Sequence, residues 1–380
     1  MPDNALKSIF KTHKETALFG RYINTEHITP LLKKHANSFK IKVIGQSVLE
    51  ENIYSITVGS GNKKILMWSQ MHGNESTTTK SIFDLLNFFT NDSSSNSILK
   101  ACTIVIIPIL NPDGAKAYTR VNANAVDLNR DAQNLSQPES VVLSTVFNNF
   151  KPHYCFNLHG QRTIFSAGNT NNSASLSFLS PAQDVDCTIT DNRKVAMSVI
   201  VKINRMLQKT LPNQVGTYDD AFNINCVGDT FQSLNAPTIL FEAGHIANDY
   251  DREIVRGYVF QSYIVALKTI VDNAIDLEDY KEYLMIPQNK KLFFDVIIKN
   301  ARFKSETLDI AIQYQEKLID KKIHFIPKIE KMENLDTFFS HNYLNANDNE
   351  VFGKQKNLID FNYANDFVII DNAKFSLKFH

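Results

Sequence analysis

Four short apolar runs each end in polar residues able to do chemistry, and this arrangement constrains the chain more than any other feature. The runs cover residues 65–68, 103–107, 154–158 and 237–241. Their length and near-continuous apolarity are those of strands buried on both faces. Helical patterns separate them. One passes through Leu85, Leu86, Phe88 and Phe89 with Ser76 and Thr77 placed to cap it, and others cover about 137–149, 191–208 and 253–271. Alternation of this kind, continuing to about residue 275, predicts a layered α/β fold. In open α/β sheets ligands collect at the carboxyl ends of strands. Here those ends carry His72 and Glu75, the segment from Asn111 to Arg130, His159, and Glu242.

The rest of the chain fills in around this pattern. A helical pattern over 29–36 and strand-like stretches at 41–44 and 53–58 precede the first run. Asn111-Pro112-Asp113-Gly114 reads as a turn, and the Ser-, Asn- and Ala-rich stretch 166–186 reads as a long surface loop. After a boundary near 275–290 the character changes. β-branched and aromatic runs appear at 292–298, 310–314, 323–326 and 367–370, with polar turns between them and a loop expected over the Asn-rich 342–349. The expected organisation is a catalytic unit over residues 1–275 and a small β-rich domain over 285–380.

Charge and cysteines narrow the function classes. Lys and Arg number 40 and so do Asp and Glu, giving a formal net charge of zero. Such a balance disfavours nucleic acid as the main partner. The apolar runs are too short to span a bilayer, so no membrane role is expected. Four cysteines at 102, 155, 187 and 226 form no CxxC pair, which leaves out zinc ribbons and thioredoxin-type motifs. Scattered thiols point to a reducing compartment, and the expected location is cytoplasmic.

Each chemical candidate has a plain alternative. With 10 histidines in 380 residues, chance supplies roughly 0.4 His-x-x-Glu pairs. His72 and Glu75 are thus either a loop His and a helix first-turn acid, or two zinc ligands on a strand-to-helix loop. A catalytic zinc needs a third protein ligand. His159, at the carboxyl end of its strand beside Gly160, is preferred over His153, which shares that strand face. Glu242 is the only Glu between residues 140 and 252 and closes an apolar strand. A carboxylate there is either ion-paired or a general base for water. Arg120, Asn129 and Arg130 lie in a polar loop that is either solvated or supplies one cation for an oxyanion and another for a substrate carboxylate. Asp127 could orient a ligand histidine.

Taken in order, His72-Gly73-Asn74-Glu75, Asn111-Pro112-Asp113-Gly114, Arg120, Asp127-Leu128-Asn129-Arg130, His159-Gly160 and Glu242-Ala243-Gly244 resemble the zinc metallocarboxypeptidase family, in a trimmed bacterial-type form, over about residues 40–270. The resemblance implies a three-layer α/β/α domain around a mixed, mainly eight-stranded sheet. It implies one zinc ion on His72, Glu75 and His159, with Glu242 as general base and Arg120 polarising the carbonyl. Asn129 and Arg130 would hold the substrate's terminal carboxylate, and Asp127 would support His72. The family's mobile-loop Tyr corresponds in place to Tyr218, with Phe222 at comparable spacing. Asp229, between Gly228 and Thr230, stands where side-chain preference is read, or merely serves a turn. The implied reaction is hydrolysis of an amide bond beside a free carboxylate, on a peptide or acyl-amino-acid substrate. A related branch that removes acyl groups from amino acids shares His-Gly-Asn-Glu and is the alternative, followed by a non-catalytic peptide-binding module.

Overall fold

The computed structural model describes residues 3–354, 357–361 and 363–378. The first ten strands in chain order are β1 (Lys40–Gln46), β2 (Asn52–Val58), β3 (Lys63–Ser69), β4 (Cys102–Ile107), β5 (Tyr154–Gly160), β6 (Phe165–Ala167), β7 (Leu176–Leu179), β8 (Val215–Thr217), β9 (Thr238–Ala243) and β10 (Asn289–Lys291). Eight of them form one mixed sheet in the order β1-β2-β4-β3-β5-β9-β7-β8, while β6 and β10 make a separate two-stranded ribbon. The central strands β4, β3, β5 and β9 run parallel, and β1, β2 and β7 join antiparallel. Strand β3 is followed in sequence by β4 on one side and is flanked by β5 on the other. The chain therefore reverses direction across the sheet at β3, the kind of switch point at which a crevice opens.

The layers follow from side-chain alternation. Ile65 and Met67 of β3 face one core with Phe83, Leu86 and Phe260. Leu66 and Trp68 face the other core with Leu143, Phe147 and Phe231. Adjacent strand residues point to opposite faces, so a strand apolar at every position must be covered on both sides. Each fully buried side chain of this size contributes about 1.5–3 kcal/mol. The helices Thr77–Asn91, Asp191–Leu207 and Glu253–Val271 cover one face, and Pro138–Phe150 with Val227–Ser233 cover the other. Glu253–Val271 is long and apolar enough to cross a membrane by length and composition, and it is largely buried in the protein. It is fastened to Thr77–Asn91 by Arg256 and Asp84, both with side chains 0% exposed, through bonds of 2.7 and 2.6 Å.

Several local expectations are corrected. The stretch 166–186 is not simply a surface loop. It contains β6 and then β7, whose Leu176, Ser177 and Phe178 are buried in the main sheet. Asn111–Gly114 opens the helix Pro112–Ala117, with Asn111 Oδ1 accepting from Gly114 N at 2.8 Å. Asp229 lies in the first turn of the helix Val227–Ser233 rather than in a turn. The Ser76 hydroxyl donates to Arg21 O and leaves the helix it precedes uncapped by a side chain.

Beyond residue 275 the helix Tyr280–Tyr283 lies against Asp191–Leu207, and Tyr283 and Ile286 join the first core. Then come β11 (Phe293–Phe303), β12 (Glu306–Ile319), β13 (Lys322–Glu333) and β14 (Phe339–Asn345), in a sheet ordered β13-β12-β11-β14. Residues 342–345, expected as loop, belong to β14. Of the last strands, β15 (Val351–Phe352) and β16 (Phe367–Ile370) share a core with this sheet, and β17 (Ala373–Ser376) pairs with β16 as an exposed strand. That core also takes Tyr250 from the α/β unit. The hydroxyl of Tyr250 bonds Asp295 at 2.7 Å, and Gln313 Nε2 bonds Thr163 at 2.7 Å.

Candidate active site

The loop after β3 is held by backbone-seeking amides. Gln70 Nε2 donates to Ile23 O at 2.9 Å and Gly73 O at 2.8 Å, and Asn111 Nδ2 donates to Met71 O at 3.1 Å. Gly73 is required by close approach, because a Cβ there would stand 2.0 Å from the Gly114 carbonyl carbon. The loop so fixed turns His72 and Glu75 toward the end of β5. His72 Nδ1 lies 2.9 Å from Glu75 Oε1, and His159 Nδ1 lies 3.0 Å from both Glu75 Oε2 and His72 Nδ1. Among the described residues these three make the one His/Cys/Asp/Glu group whose ligand atoms all fall within 4.8 Å.

The donor chemistry tests whether a metal fits. His72 Nε2 is 3.1 Å from Asp127 Oδ1, so when it donates there, Nδ1 presents a lone pair. That lone pair faces a second imidazole nitrogen and a carboxylate, with Arg120 Nη1 beside it at 3.2 Å. Three Lewis bases converging on one point call for a cation between them, and two His with one Glu is an established zinc set. Asp127 completes a carboxylate–histidine support for the ligand. It also takes Arg120 through bonds of 3.0 and 3.1 Å. Burial pushes the Glu75 carboxyl up, but the neighbouring His72 and His159 hold it well below the usual range. Burial likewise opposes ionisation of Asp127, and the His72 bond and the Arg120 charge overcome it.

Glu242 arrives from a different direction. In the parallel β5–β9 pair it is the register partner of His159, and Ser177 of β7 faces it on the other side. Its Oε2 is buried without a hydrogen-bond partner. Burial first, and then the Glu75 charge, push its carboxyl well above the ordinary value. A carboxylate favoured in its protonated form is suited to receive a proton.

All of these except Asp127 line one cleft of about 440 Å³, together with Asn129, Arg130, Tyr218 and Asp229. Asn129 is pinned, with its N–H on Asp127 Oδ1 at 2.9 Å and its Oδ1 accepting from Val227 N at 3.1 Å. Arg130 is exposed at the mouth. Tyr218 donates its hydroxyl to Gln161 Oε1 at 2.8 Å and sets its ring against Phe165. Phe222 does not line the cleft. Burial raises the Asp229 carboxyl to about 6. His153 sits exposed at the far end of β5, where its Nδ1 accepts from Lys64 N at 3.2 Å. Among the lining residues that escaped sequence reasoning, two were within its reach. Asn157 and Gln161 stand two residues either side of His159, so strand periodicity alone places them on its face.

The zinc carboxypeptidase family, Peptidase_M14, matches residues 25–233, more than half of the chain. The chain belongs to the zinc carboxypeptidase family. The matched span holds every cleft residue discussed above except Glu242. Probable carboxypeptidase 2 of Trichophyton verrucosum is 30% identical over 112 residues, 29% of this chain and 21% of that protein. The chain thus spans about a fifth of the length of such curated relatives. Among solved structures, a carboxypeptidase A-like protein from Shewanella denitrificans superposes with a TM-score of 0.56 at 15% identity, covering 65% of this chain and 69% of the other. A metallo-carboxypeptidase from Burkholderia cenocepacia gives 0.54 at 14% identity, covering 67% and 70%. These likenesses establish the carboxypeptidase fold, and the family's zinc fits the His72–Glu75–His159 donor set.

Proposed function

We propose that the protein hydrolyses the amide bond next to a free carboxylate at the end of a peptide. The observation that carries this reading is the placement of the Glu242 carboxyl, whose buried Oε2 has no partner, one strand across from a three-base metal site. His72, Glu75 and His159 would hold zinc, which when bound acidifies water and polarises a carbonyl oxygen. Glu242 takes the proton of the attacking water at its free Oε2 and later returns it to the leaving amine. Arg120, its side chain 48% exposed and steered by Asp127, faces the negative charge that develops on the carbonyl oxygen. Asn129 and Arg130 grip the substrate's free carboxylate, for which a guanidinium is the natural bidentate partner. Tyr218 screens the bound amide from water.

The catalytic unit is the span up to about residue 275, and all nine site residues fall within it. A reducing, cytoplasmic setting is consistent with the four cysteines, which are all free. The test is product analysis with the zinc-loaded protein on a peptide mixture and on N-acyl amino acids. Release of single C-terminal residues is expected. Release of free acid from acyl amino acids without peptide trimming would replace this reading with the deacylase one, and no turnover of either would leave a binding module.

A further inference from the structure

A second cavity, of about 360 Å³, is lined by Glu75 and Arg120 but not by Asn129 or Arg130, and shares Gly160, Gln161 and Arg162 with the cleft. One wall is the α/β unit and the other is β12, through Gln313, Tyr314, Gln315 and Glu316. A volume of this size lies in the ordinary range of ligand sites. If the leaving residue sits over Arg130 and the scissile carbonyl beside Arg120, the rest of the substrate has to run into this cavity.

Its charge is lopsided. The described lining carries Arg21, Arg120, Arg162 and Arg252 against Glu75, Glu316 and Asp295. Glu75 belongs to the metal site. Asp295 is already met by Tyr250, by Gln313 and by Tyr314 N. Glu316 is met by the Tyr118 hydroxyl and by Arg21 Nη2 at 3.1 Å. The acids are thus satisfied, but the guanidiniums are not. Arg21, with its side chain 9% exposed, keeps Nε and Nη1 without an acceptor. Arg252, 1% exposed, spends Nη1 and Nη2 on the carbonyls of Ala243, Gly244 and Gln161 and keeps Nε without one. These leftover N–H groups have almost no accessible surface, so what the cavity meets from the wall is the positive field of the guanidiniums, which favours an anionic ligand.

We propose that this interdomain cavity is the acyl-side pocket of the enzyme and selects substrates that carry a carboxylate on the acyl side of the cleaved amide, with Arg21 as its partner. The inference rests on the peptidase reading for the direction in which substrate lies. It gives the C-terminal domain a part in specificity, since β12 supplies one wall and the acid that holds Arg21 in place.

The test measures binding, so it does not depend on turnover. Glu242→Gln protein loaded with zinc is titrated calorimetrically with acetyl-Glu and acetyl-Gln peptides ending in the residue released best from the mixture. A succinyl peptide set against its acetyl counterpart separates a dicarboxylic cap from an acidic side chain. A carboxylate form is expected to bind about tenfold tighter than its neutral match, the scale of a hydrogen bond to a charged group. Adding Arg21→Gln should bring that ratio close to one. Adding Glu316→Gln, which frees Arg21 from its own acid, should widen it. Equal binding of charged and neutral forms overturns the proposal. So does a ratio that moves the same way in both variants, because damage to the fold would act alike in each. A preserved ratio in a protein that cleaves no peptide would overturn the peptidase reading and leave the pocket standing.

Discussion

Two buried charged clusters sit in the same three-layer domain and are built on opposite principles. Arg256 and Asp84 join two helices with complementary donors and acceptors, and the Arg256 guanidinium also reaches Leu18 O and Glu15 O. That cluster is complete in itself. His72, Glu75 and His159 instead turn three bases toward one another, with the half-exposed Arg120 guanidinium alongside at 3.2 Å from His72 Nδ1 and 3.5 Å from Glu75 Oε1. The first is what a core needs when it buries an ion: every charge answered. The second brings three metal-ligating atoms together, an arrangement that a cation would complete. Burial alone therefore does not mark a functional site, whereas burial of converging metal-ligating atoms does.

The contrast can be attacked at several strengths. The largest effect is expected from His159→Ala, which should abolish stoichiometric zinc, as read by elemental analysis, and reduce turnover to background. Zinc retained at full stoichiometry would remove the metal assignment. Next, Glu242→Gln should keep zinc and lose roughly 10²–10⁴ in rate, so near-normal turnover would leave Glu242 a structural acid. On the complete cluster, Arg256→Met strands Asp84 in the core. Denaturant unfolding should show a loss of about 3–5 kcal/mol, with zinc content unchanged in the folded fraction. Zinc at a hundred times its dissociation constant should add about 2.7 kcal/mol to the wild-type protein and nothing to His159→Ala. An equal gain in both would mean that the ion binds elsewhere. The smallest effect is expected from Asp127→Asn, with metal affinity or activity falling about 10–100-fold as His72 loses its orienting carboxylate.

How far these clusters could be read from sequence follows from their range. The four apolar runs are strands because continuous apolarity leaves them no face for water, and the chemistry at their ends follows from that. Strands β7 and β8 were hidden. β7 is short and alternates Ser with apolar residues in a Ser- and Asn-rich stretch, so its burial comes from antiparallel pairing with β9 rather than from its own composition. Glu242 was legible because an acid closing an apolar strand is costly. Asn157 and Gln161 were within reach through the period of two on β5. Arg21 and Arg252 were not. Each looks like an ordinary surface arginine, and only the long-range docking of β12 against the α/β unit encloses Arg21. The same docking joins two regions that the change in composition near residue 275 divides.

The register between β5 and β9 carries one more consequence. His159 and Glu242 are far apart along the chain, yet the sheet sets them on adjacent rungs, about 4.8 Å apart in backbone spacing. The separation of His159 and Glu242 is therefore ruled by the ladder and is indifferent to the length of the excursion between them. Insertions or deletions in that excursion, which lines the cleft through Tyr218 and Asp229, can reshape the cleft while these two side chains keep their spacing.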